Sequence, residues 1–120
     1  MGLDTYASRS TDDIILSDED LEAFSKAEIT LCGGILSGND GSFRGKIYEI
    51  MILDITNQSL HQDWISPETV LEMHTALEKC DPQQAFQEYS WHRCSPLDIL
   101  ECRKSFKVCS DRGLGLINWG

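Results

Sequence analysis

The chain lacks a long apolar run, has no closely spaced cysteine pair, and carries half as many basic as acidic side chains, 10 against 20. Each absence removes a class of function. The longest apolar stretch, Ile47 to Ile55, is interrupted by Glu49 and Asp54 and falls short of the roughly 20 apolar residues that a membrane-spanning helix needs. No membrane partner is expected. Met1 is not followed by a basic and then an apolar segment, so no secretory leader is expected. Tyr6 stands where N-myristoylation calls for Ser or Thr. These readings place the chain in the cytoplasm, and the Asn57-Gln58-Ser59 glycosylation pattern is then a chance match. The net charge of −10 repels phosphate backbones, which excludes nucleic acid as a partner. Five cysteines, an odd number without a Cys-x-x-Cys step, argue against a disulfide framework and for reduced thiols.

The 120 residues suit a single domain, 1–120. Charge is unevenly spread along it. Residues 1 to 28 hold eight acids against Arg9 and Lys26, a net of −6, whereas Arg93 to Arg112 has a local excess of +2. The two ends are therefore set to attract each other.

Leu3, Tyr6 and Ile14 to Leu16 mark one or two short strands around a polar loop. Ser17 with Asp20 predicts a capping box and a short acidic helix ending near Ala27, with a strand from Ile29 to Cys32 after it. The glycine-rich segment Gly33 to Ser42 reads as a shaped loop. Ser42 is then the expected N-cap of a helix, central to the core, in which Phe43, Ile47, Ile50 or Met51, and Asp54 lie on neighbouring turns and the apolar side continues through Leu53 and Ile55. Asn57 to Asp63 is a polar connector.

Ser66-Pro67-Glu68 is the clearest helix start: an N-cap, a first-turn proline and a first-turn acid in order. Val70, Met73 or His74, and Leu77 form its apolar stripe, and Asp81-Pro82 stops it before a weaker helix from Gln83 to Tyr89. Ser95-Pro96-Leu97-Asp98 repeats the start signal. Its helix buries Ile99, Cys102, Phe106 and Cys109 and stops at Gly113, with Leu114 to Trp119 as a terminal strand. The expected architecture is α+β, helix-rich, with a small sheet formed by short strands near both termini.

Three segments, Met1 to Ala7 (MGLDTYA), Gly41 to Tyr48 (GSFRGKIY) and Gly113 to Trp119 (GLGLINW), together resemble a group of small uncharacterised bacterial proteins. The resemblance implies a bacterial origin and carries no activity, cofactor or catalytic residue.

Candidate sites are read from the residues themselves. Gly45-Lys46 is similar to the end of a phosphate-binding Walker A loop, but Asp40 stands at its first glycine and Ile47 at its hydroxyl position. What remains is a small-anion site of helix amides after Ser42 with Arg44 and Lys46, against a plain glycine-rich connector. His92 and Cys94 with Cys102 and Cys109 contain zinc-type ligands, yet Cys102 and Cys109 fall on a buried stripe, so no metal is expected. His61, His74 and His92 are candidate bases without a visible nucleophile partner. Asp12-Asp13 and Asp18 to Asp20 are acid clusters, the latter explained by a helix dipole.

Trp64, Tyr89 and Trp91 lie outside the helical stripes and stand either as interaction anchors or as lids over the core. A noncatalytic protein-interaction or regulatory module, with a protein partner or a homodimer, ranks above a small enzyme or anion-binding protein. No cofactor is expected.

Overall fold

Three proline-led helix starts organise the second half of the chain. The computed structural model describes residues 4–9, 16–29, 42–89, 91 and 94–119. In it, α3 (Pro67–Lys79), α4 (Pro82–Tyr89) and α5 (Pro96–Arg112) each open on proline, which has no N–H to leave unpaired in the first turn. The amides that do need partners receive them locally. Thr69 N donates to Ser66 Oγ at 3.2 Å, Gln83 N to Asp81 Oδ1 at 3.0 Å, and Ser95 N to Asp98 Oδ2 at 2.8 Å. Asp81-Pro82 therefore starts α4 as well as ending α3, two residues' work that the sequence pattern had read as a stop alone.

The other helices are α1 (Asp18–Lys26), with the reciprocal Ser17–Asp20 capping box, and α2 (Gly45–Thr56). Left-handed residues stand at the C-cap of two helices, Gly113 at φ 67° on α5 and Asn57 at φ 61° on α2, and Glu28 at φ 53° follows the C-cap of α1. Asn57 is thus a helix cap, a position that tolerates asparagine.

The strands are β1 (Asp4–Ser8), β2 (Ser42–Arg44), β3 (Trp64–Ile65) and β4 (Gly115–Trp119), in the order β2-β1-β4-β3 and antiparallel throughout. The central pair joins the two ends of the chain, with Tyr6 opposite Ile117. This is the expected α+β architecture. Phe24, Phe43, Met51, Ile52, Leu77 and Phe106 are fully buried in one core, and burying side chains of this size stabilises by roughly 1.5–3 kcal/mol each. The Phe43 ring packs within 5.9 Å of Tyr48 and 6.3 Å of Phe106, centroid to centroid, so β2, α2 and α5 meet at one aromatic cluster.

Two strands depart from the sequence expectation. Ser42 is not an N-cap; it is buried in β2 opposite Tyr6, and α2 begins at Gly45 with Arg44 at the cap position. Pairing with β1 captures the backbone of residues 42–44 before the helix can start. Trp64 and Ile65 form the short edge strand β3, held against β4. Asn118 fastens the connector before it: its Nδ2 donates to the carbonyls of Leu60 and Gln62, and its Oδ1 accepts from Thr5 Oγ1 at 2.8 Å. The expected strand 29–32 and loop 33–42 lie outside the described residues except for Ile29, which is buried, and Ser42.

The attraction between the ends of the chain takes a specific form. Asp20, fully buried, accepts from Arg9 Nε and Nη2 at 2.9 and 2.8 Å and from Arg112 Nε at 2.5 Å. The Arg9 guanidinium above all, then Arg112 and the Ser17 contacts, hold its carboxyl well below the usual carboxylate range. One acid thereby ties the segment after β1, α1 and the last turn of α5.

Candidate functional site

A helix packed between a sheet and another helix can bury only one stripe, and α2 carries more apolar residues than one stripe holds. Tyr48, Met51 and Ile52 are buried, whereas Ile50 is 66% and Leu53 42% exposed. The sequence pattern turns Leu53, and either Ile50 or Met51, toward the core. Starting the helix at Gly45 and packing it on α3 and β1 buries Met51 and leaves Ile50 and Leu53 on the outer side. Helices that are apolar on an exposed face mark surfaces that something else covers.

Beside that face sits Trp91, between α4 and α5. It is buried, and its Nε1 donates to Asp54 Oδ2 at 2.8 Å, tying it to α2. The half-exposed Tyr89 ring stacks on it, centroids 5.3 Å apart and planes 13° from parallel. Between the stack and α2 lies a cavity of about 590 Å³, walled by Ile47, Ile50, Met51, Trp91 and Cys94, with Lys46, Glu49, Asp54 and His61 as its polar members. A second cavity of about 420 Å³ continues toward α3 and α4, with Ile55, Ala76, Cys80 and Ala85 among its walls and Lys79, Asp81 and Glu88 around them. Asp54 and Tyr89 line both. The two hollows therefore adjoin at that pair, and together they are the groove.

The groove is chemically quiet. Burial, with a smaller contribution from Asp98, pushes the Cys94 thiol up to about 11, and its Sγ donates to the Ile47 carbonyl at 3.5 Å. A thiol in that state keeps its proton at neutral pH and is a poor nucleophile. Burial also raises Cys80, raises Cys109 to about 12, and raises Cys102 most strongly. Glu49 Oε2 accepts from Leu60 N at 2.9 Å and lies 3.4 Å from His61 Nε2. Among the described residues, no three of His, Cys, Asp and Glu are grouped to hold a metal ion.

Thiol accessibility follows from these positions. Cys80 is half-buried beside the groove, while Cys94, Cys102 and Cys109 are buried. Iodoacetamide at pH 8 followed by peptide mass spectrometry is expected to label Cys80 ahead of Cys94, Cys102 and Cys109, which reach comparable rates only after unfolding. Labelling of Cys102 or Cys109 in the native protein as fast as Cys80 would contradict this packing.

The sequence-predicted residues divide between two places. Trp91 serves the core and Tyr89 the surface, side by side at the groove. Trp64 is elsewhere, in β3, its indole ring lying over Gly115 of β4. Of the anion-site residues, Ser42 is in the sheet, Arg44 is half-buried at the start of α2, and Lys46 is exposed and lines the larger cavity. The glycine loop 33–41, Cys32 and His92 lie outside the described residues. His74 pairs with Glu78 at 3.1 Å on α3, away from the groove linings. Sequence reading missed Ile50, Leu53 and Asp54 as surface elements. The available signal was the apolar content of α2 on more than one side.

No helix among the described residues is long and apolar enough to cross a membrane. No protein-family model, curated protein or solved structure matches the chain.

Proposed function

We propose that this protein is a noncatalytic interaction module that receives a segment of another protein in the groove between α2 and the Tyr89–Trp91 stack. The observation that carries the proposal is the pairing of a rigid aromatic stack with the exposed Ile50 on a helix already packed on its other side. Aromatic anchors beside a desolvated hollow are the usual centres of protein interfaces. The protonated Cys94 supports binding over nucleophilic chemistry in the same place.

The test is selection of 12-residue peptides from a random display library on the full chain, followed by titration of the selected peptides. Ile50→Glu and Tyr89→Ser are each expected to weaken binding by about tenfold or more, the effect of losing roughly 1.4 kcal/mol, while the melting temperature stays within a few degrees. Selected peptides that bind equally well to both variants would place the interaction surface elsewhere.

A further inference from the structure

Among the described residues, the groove is lined by more carboxylates than cations. Glu49, Asp54, Asp81 and Glu88 face Lys46 and Lys79 along its two halves, within a chain of net charge −10. Carboxylates around an apolar hollow select the sign of what enters it. Glu49 is held in place by Leu60 N, which donates to its Oε2 at 2.9 Å, so a negative charge is fixed beside the larger hollow.

The two hollows fix a second property of the occupant. They are separate volumes with Asp54 and Tyr89 in the lining of both, so a ligand filling both needs two apolar groups with a polar or charged stretch passing Asp54. The Oδ2 of Asp54 is already taken by Trp91, and its charge is available to a cation above it. A second copy of this chain fits poorly, because it brings another −10 and the same acidic rim.

We infer that the occupant is a cationic segment of a partner protein carrying two apolar anchor side chains, one for each hollow, with Lys or Arg between them over Asp54. The inference rests on the docking role proposed above and adds the chemistry of the partner.

Two fluorescent 12-residue peptides separate the possibilities, one built from leucine and lysine and the other with every lysine replaced by glutamate. Both are titrated into the full chain by anisotropy at low and moderate salt. The lysine peptide is expected to bind at least about tenfold tighter than the glutamate peptide, with the advantage shrinking as salt screens the charges. Its binding should fall about tenfold with Ile50→Ser or Tyr89→Ser. It should fall several-fold in Asp54→Asn/Glu88→Gln, where the asparagine oxygen still accepts from Trp91. Asp18→Asn/Glu22→Gln, neutralised on α1, is expected to bind normally; equal loss there would mean that general charge attraction accounts for the affinity and would overturn the inference.

If both peptides bind equally and both depend on Ile50 and Tyr89, the docking role stands and the cationic preference is wrong. If neither binds through these residues, both proposals fall. Sedimentation showing a dimer that Ile50→Ser disrupts would make a second copy the occupant and overturn the inference.

Discussion

Replacing Asp20 by Asn is expected to destabilise the fold by about 3 kcal/mol, the scale of breaking a buried ion pair by removing one partner. Asp20 is fully buried, and its two oxygens accept from Arg9, Arg112 and the backbone of Ser17. Asparagine keeps the shape but presents an NH₂ where a second acceptor stood, and it leaves the two guanidinium groups facing a neutral amide. For a chain of this size the melting temperature should drop by roughly 10 °C.

The pH dependence carries a distinct signature. The carboxyl of Asp20 is depressed in the folded protein, so its contribution is complete above the unfolded value near 4 and is lost as pH falls from there toward the folded value. Native protein and Asp20→Asn should therefore differ most in denaturant midpoint at about pH 6 to 7 and converge progressively below about pH 4. A constant gap across that range would show that the loss came from packing and not from the charge.

The second large effect is expected at Gly115. A Cβ there would lie 2.4 Å from the carbonyl oxygen of Ile65 and 2.5 Å from the ring of Trp64, so Gly115→Ala must push β3 away from β4. Overpacking of this kind costs typically about 1–3 kcal/mol, and the backbone contact puts Gly115→Ala at the upper end. Adding Trp64→Ala relieves the ring but not the carbonyl. The double variant is then expected to recover little of the stability lost by Gly115→Ala beyond the cost of the tryptophan itself. Full recovery would assign the clash to the side chain alone. Amide exchange should show Ile65 and Leu116, which face each other in the sheet, losing protection in Gly115→Ala before the helices do.

The parts of the fold legible in the sequence are those whose causes are local. Ser17 and Asp20 lie three residues apart, and so do Ser66 and Thr69, and these contacts form within one turn whatever else the chain does. Pro67 and Pro96 lead their helices for the same reason, and Gly113 ends α5 because a left-handed residue needs no distant partner. Ser42 shows where locality fails. Its residue type favours a cap, yet the backbone hydrogen bonds offered by Tyr6, distant in the chain, place it in a strand. Strand pairing is a nonlocal reward, and two or three residues such as Trp64–Ile65 have too little alternation to announce it.

The groove divides in the same way. Tyr89 and Trp91 were visible as aromatics outside any helical stripe, but the bond from Trp91 to Asp54, which seats the stack against α2, joins positions 37 residues apart. The sequence by itself determined the starts of α1, α3 and α5, the stop at Gly113, the acidic character, and the apolar stripes of α3 and α5, because capping, charge and periodicity are properties of neighbouring residues. Only the tertiary structure decided which side of α2 faces the core, which acid the two arginines share, and that two hollows meet at Asp54 and Tyr89. Those outcomes depend on which elements compete for the same surface, and Ile50 is exposed because β1 and α3 took the other side of its helix.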